Sequence, residues 1–166
     1  MRVAILAMTQ FGVLETPLRN IRFAVDGTAL VARLIPERVT LETPKPGDFP
    51  EALHKYFENA RLVVEGPEML VLTFEHVVAV AVDTDVDVDL FGGLHAGWKE
   101  APKLPDSKSY YPLLEIADSH WKSQLPDFRG RDEPWLHHFR AISAECSLDI
   151  LGTFPTGAWE VNPAAQ

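Results

Sequence analysis

Four aspartates, Asp83, Asp85, Asp87 and Asp89, hold every second position of AVDTDVDVDLFGG (81–93). Carboxylates at that density suit two kinds of chemistry: ligation of a hard cation such as calcium, or display of a negative surface to a basic partner. A helix–loop–helix calcium site wants Asp at loop positions 1, 3 and 5, Gly at 6 and Glu at 12. Counted from Asp83, the last two positions are Val88 and Leu94; counted from Asp85, they are Leu90 and Ala96. Without a bend or a closing bidentate ligand, no metal is expected. Alternate residues of a strand point to opposite faces. From 77 to 90 the even face is apolar (Val78, Val80, Val82, Thr84, Val86, Val88, Leu90), while the odd face turns from Val77, Ala79 and Ala81 to the four aspartates. The reading is one extended strand with valines inward and carboxylates in solvent. Such a face discourages edge-to-edge pairing, and it can also dock a basic protein.

The other reactive residue types are sparser. The six histidines are His54, His76, His95, His120, His137 and His138, and no two have the helical H-x-x-x-H spacing of a zinc protease. The single cysteine, Cys146, rules out a Cys-rich zinc cluster and reads as a small buried residue. His137 and His138 are neighbours in a strand-like run, so they should face opposite ways; the inward one is expected to be a hydrogen-bonded structural histidine. No G-x-S-x-G, phosphate-cradling loop or dinucleotide fingerprint occurs. All four tryptophans (Trp98, Trp121, Trp135, Trp159) lie in the second half. An exposed pair among them would mark a binding surface. FGGLHAGW (91–98) can shape a loop over a pocket, and an alternative site therefore groups His95, Trp98, Trp121 and His138.

Positioning these residues falls to a series of strands. Residues 2–8 read as the first. NIRFAV (20–25) and ALVARLI (29–35) form a hairpin around Asp26-Gly27, where glycine accepts positive φ at little cost. FPEALHKYFENA (49–60) reads as the main helix, with Asp48 as cap, Pro50 in the first turn, and Phe49, Leu53, Tyr56 and Phe57 on one face. RLVVEG (61–66) is a strand, Gly66-Pro67 a turn, and EMLVLTFEHVVAVAVD one or two strands. An irregular stretch, 91–108, follows. YYPLLEIAD (110–118) is a strand, and SHWKSQL (119–125) a short turn or helix capped by Ser119. Beyond the polar loop 126–134, WLHHFRAIS (135–143) reads as a strand, AECSLDILG (144–152) as a strand or a helical turn, and GAWEV (157–161) as a last short strand. Short turns rather than crossover helices join the strands, so the sheet should be mostly antiparallel. The expected class is α+β, able to curl into a partial barrel.

The chain has 166 residues, 46% apolar and 23% charged, which suits one domain over 1–166 with a core needing no metal or disulfide. Its net charge is −9, from 24 acidic against 15 basic residues. That field repels nucleic-acid phosphates and anionic membranes and favours a basic protein partner. No apolar stretch reaches the ~18 residues of a membrane helix. The start, MRVAILAMTQFGV, carries Thr9 and Gln10 and no small-residue cleavage site, so it reads as a strand rather than a secretion signal. The lone cysteine fits a reducing compartment, and the cytoplasm is the expected location.

The segment LLEIADSHWKSQLPDFRGRDEPWLHHFRAISAECSLDILG (113–152) resembles the C-terminal part of a loose group of small uncharacterised bacterial proteins. The matching residues are Leu114, Ser119, Trp121, His138, Phe139, Ile142, Ser143, Leu148, Asp149, Ile150 and Leu151. The resemblance implies a compact sheet-rich domain and carries over no catalytic residue and no cofactor. The expected function is therefore a non-catalytic, acidic binding domain, one version being an immunity-type protein that masks a basic partner. The rival is a small enzyme or ligand binder using the His95/Trp98/Trp121/His138 pocket, and a homo-oligomer is compatible with either.

Overall fold

The computed structural model describes residues 5–12, 14, 16–45, 47, 50–57, 60–84, 101–105, 110–127 and 132–165. In chain order the strands are β1 (Ile5–Ala7), β2 (Leu18–Asp26), β3 (Ala29–Val39), β4 (Val63–Glu65), β5 (Glu68–Phe74), β6 (Val77–Asp83), β7 (Leu113–Ile116), β8 (His137–Ile142), β9 (Ser147–Gly152) and β10 (Thr156–Val161). Two single-turn helices, α1 (His54–Phe57) and α2 (His120–Ser123), interrupt them. One sheet has the order β1-β7-β8-β9-β6; the other has β10-β5-β3-β2, with β4 also paired to β3. The strand pairs are antiparallel.

The expected mostly antiparallel sheet is present; the described residues are largely β with little helix, so the α+β class with one main helix is matched only loosely, and neither sheet closes into a barrel. Among the described residues of 49–60, read as the main helix, a 3-10 turn at Glu51–Leu53 runs into α1. Its N-cap is Pro50, at ψ 141° and without a side-chain cap bond; Asp48, the expected cap, and Phe49 lie outside the described residues. A helical segment this short gains too few backbone bonds to repay its nucleation.

The β2–β3 hairpin turns on Gly27 and Thr28, since Asp26 still pairs with Ala29. Gly27 has φ +60° at the first central position of the two-residue loop, where a type II′ turn needs glycine. Besides β2, β3 serves two partners in turn: Leu30–Leu34 pair with β5, and Glu37–Val39 pair with β4. The change falls at Pro36, which has no N–H for a ladder; its carbonyl instead accepts from Gly66 N at 2.7 Å.

Period-two alternation builds the core between the sheets. Leu30, Ala32, Leu34, Leu70, Leu72 and Phe74 from one sheet meet Leu113, Phe139, Ala141, Leu148 and Ile150 from the other. Phe74 and Phe139 pack ring against ring across the gap, 5.4 Å apart. Each such buried Leu or Phe contributes roughly 1.5–3 kcal/mol.

β6 is extended as expected through Asp83, but its faces differ from simple parity. A bulge between Val77 and Ala79 turns Val77 as well as Val80 against the core. Val82, read as inward, is 45% exposed because β6 is the edge strand of its sheet. β9 departs from alternation altogether, being buried at all six positions. Both faces of its sheet are therefore covered there, and the face away from the core carries polar side chains.

Candidate functional site

β8 and β9 pair so that Arg140 lies opposite Asp149 and His138 opposite Leu151. Opposed residues share a face, and so do residues two apart in one strand. His138, Arg140 and Asp149 thus come together on the outer face of the sheet. The fourth member arrives from β7. After Ile116 the chain turns through Asp118, at φ +54°, and places Ser119 as N-cap of α2. Ser119 Oγ accepts from Lys122 N at 3.1 Å and lies 2.7 Å from His138 Nδ1. His138 Nε2 is 2.8 Å from Asp149 Oδ1. Arg140 grips the same carboxylate twice: Nε donates to Oδ1 at 2.8 Å, and Nη2 to Oδ2 at 2.8 Å. Trp121 meets the His138 ring edge-on, with centroids 5.3 Å apart. Exposure is 6% for Ser119, 3% for His138, 3% for Arg140 and 1% for Asp149.

A neutral imidazole satisfies every one of these hydrogen bonds. With its proton on Nε2, His138 donates to Asp149, Nδ1 accepts the Ser119 hydroxyl proton, and the serine oxygen still accepts Lys122 N–H. Arg140 and Asp149 then cancel each other's charge in the interior. Burial pushes the Asp149 carboxyl up, but hydrogen bonds from His138 and Arg140, with the charge of Arg140, outweigh it and hold the group below the usual aspartate range.

Serine, histidine and aspartate in a row are also the parts of a nucleophile relay. Three features oppose that use. The hydroxyl is buried, the carboxylate that would stabilise an imidazolium is already neutralised by Arg140, and the serine oxygen is committed to a helix cap. A shallow depression of about 150 Å³ between Pro17, Tyr110, Pro112 and Ser143 includes none of the four residues and is smaller than the ~300 Å³ common for ligand pockets. Among the described residues no group of three or more His, Cys, Asp or Glu could hold a metal ion.

Acid should expose the stabilising role. The folded chain binds the Asp149 proton more weakly than the unfolded chain, where aspartate titrates near ~3.9. The carboxylate's contribution is therefore whole above that value and lost as pH falls through the depressed folded-state value. Glu65 acts in the same sense: burial raises it, but hydrogen bonds from Asn20, Asn162 and Arg22, with the Arg22 charge, leave it lowered. Urea midpoints should hold from pH 6 to about pH 4 and then fall as the pH drops further for the native chain, and fall less for Asp149→Asn.

Of the residues read from the sequence, Trp121 and His138 are brought together; His95 and Trp98 lie outside the described residues. Asp83 ends β6, half-buried, whereas Asp85, Asp87 and Asp89 lie outside the described residues. The two adjacent histidines do face opposite ways: His138 is the buried, doubly hydrogen-bonded one, and His137 is half-buried with Nδ1 2.8 Å from Glu115 Oε1. Cys146 is half-buried rather than fully buried, beside Ser143 in the β8–β9 turn. Arg140 was missed, and Asp149 and Ser119 were noted only as matching residues of the resemblance, Ser119 also as a cap. The available signal was a charge inside each of two apolar runs, HFRAI and LDILG, because an ion so enclosed needs a partner.

No protein-family model, no curated protein and no solved structure matches the chain.

Proposed function

We propose that the chain is a non-catalytic, acidic binding protein that masks a basic protein partner, in the manner of an immunity protein, in the bacterial cytoplasm. The observation that supports this reading most is the closure of the Ser119–His138–Asp149–Arg140 cluster. Its groups satisfy one another in the interior, so this cluster offers no open group to a substrate. The chain as a whole carries an excess of acid, 24 carboxylate residues against 15 cations. Complementary charge accelerates encounter and rejects partners of the same sign. Among the described residues no helix is long and apolar enough to cross a membrane.

The aspartate ladder supplies the test. With a deca-arginine peptide as probe, replacing Asp83, Asp85, Asp87 and Asp89 together by Asn should slow association about fivefold to tenfold at low salt, with the difference shrinking at physiological ionic strength. Stopped-flow measurement reads this directly. An unchanged rate removes the ladder from the docking surface. Failure of the peptide to bind at all would favour the rival reading, a ligand pocket beside Trp121 and His138.

A further inference from the structure

The register that builds the core also gathers aromatic side chains at one end of the sandwich. Gly152, the last residue of β9, pairs with Val77 on one side and His137 on the other. The residues flanking those three positions therefore meet. His76 precedes Val77 and packs edge-on against Trp135, with centroids 5.5 Å apart. Phe154, two residues past Gly152, packs edge-on against His137 at 4.9 Å and against Phe139 at 5.3 Å. Through Phe139 the row is anchored to Phe74 in the core. Its outer members stay open: Phe154 is 44% and Trp135 36% exposed, and His76 is exposed as well. Exposed Glu75 and Glu133 flank the aromatics in sequence. The nearby Lys122 ammonium is tied to the Leu136 and Glu133 carbonyls, at 2.7 and 3.3 Å.

We infer that this patch, centred on Trp135 and Phe154, docks an arginine-bearing segment of the basic partner. The inference rests on the binding reading above and locates its contact surface. Rigid aromatic rings are the side chains that dominate interface energetics at little entropic cost. Their faces attract cations, guanidinium above ammonium because it is planar and more weakly hydrated. The carboxylates of Glu75 and Glu133 and the −9 charge of the whole chain select a basic occupant. A second copy of the chain, equally acidic, is disfavoured by the same charge.

The test titrates the full chain with deca-arginine and, separately, deca-lysine, following tryptophan indole N–H signals by NMR; Trp135→Phe identifies the Trp135 signal. Deca-arginine should shift that signal and bind more tightly than deca-lysine. Trp135→Ala and Phe154→Ala should each weaken binding by about tenfold or more. Phe154→Ala also opens the core, so the exposed-site reversals Glu75→Lys and Glu133→Lys provide a second measure and should weaken binding with unfolding midpoints unchanged. Deca-arginine binding that these variants leave intact, or equal affinity for deca-lysine, overturns the patch while preserving the general binding reading. Absence of binding by either peptide overturns both. Self-association in sedimentation that Trp135→Ala abolishes would assign the patch to a second copy and overturn the inference.

Discussion

Asp149→Asn should destabilise the chain by about 3–5 kcal/mol, the cost of leaving a buried cation without its counter-charge. For a domain whose total stability is on the order of 5–15 kcal/mol, that is a large fraction. The geometry explains why the conservative amide does not rescue the site. The native carboxylate accepts from Arg140 through both oxygens and from His138 through one. An amide keeps one acceptor and turns a pair of donors toward the guanidinium or the imidazole N–H. Arg140, 3% exposed, has no route to water that leaves β8 in place. A double variant, Arg140→Met with Asp149→Leu, removes both charges and should recover much of the loss, because an apolar pair avoids the desolvation that the ion pair must offset. Urea denaturation with constant m-values would measure both changes. A loss under about 1 kcal/mol for Asp149→Asn would mean that water reaches the pair.

The contrast between what the residues announced and what they concealed follows range. Local chemistry was legible. Asp26-Gly27 between apolar runs marked the hairpin, although the turn centres one residue later, on Gly27 and Thr28. Ser119 was read as a cap and is one. Adjacent His137 and His138 had to diverge, and the one facing inward had to find partners. Properties that depend on how distant strands align were not legible. The guanidinium–carboxylate pair exists only because Arg140 and Asp149 fall opposite each other in the β8–β9 ladder. Nor does composition around residue 36 reveal that β3 exchanges β5 for β4 there. Alternation misplaced Val77 and Val82 because a bulge and an edge position override a period-two pattern. The helix read over 49–60 is present over Glu51–Phe57 as a 3-10 turn followed by one α-helical turn, because apolar spacing marks a face but not a helix's length. Trp135 and Phe154 become one surface through Gly152, a residue with no chemistry of its own.

Gly152 is where that dependence can be measured, and Gly152→Ala should cost about 1–3 kcal/mol while weakening deca-arginine binding. A methyl at this position would sit 2.6 Å from the His76 carbonyl oxygen and 3.4 Å from Val77 Cα. The nearest obstacle is backbone, so rotating the Val77 side chain, whose Cγ2 would lie 3.3 Å away, does not clear it, and β6 must move from β9 to admit the new carbon. That displacement acts on the bond from Thr153 N to His76 O, 2.9 Å, and on the one from Val77 N to Thr28 O, 2.7 Å, which ties β6 to the hairpin turn of the other sheet. His76 moves with β6, whereas Trp135, two residues before β8, and Phe154, just past β9, stay with their own paired strands, so His76 separates from the rest of the aromatic patch. Gly47→Ala is the control: a methyl there meets nothing within 4 Å, and the change should stay within about 0.5 kcal/mol and leave binding untouched. If Gly152→Ala lowers the urea midpoint but spares binding, the patch tolerates the shift and its rings act independently. If it lowers both while Gly47→Ala lowers neither, the close approach of β6 and β9 is what holds the aromatic surface together.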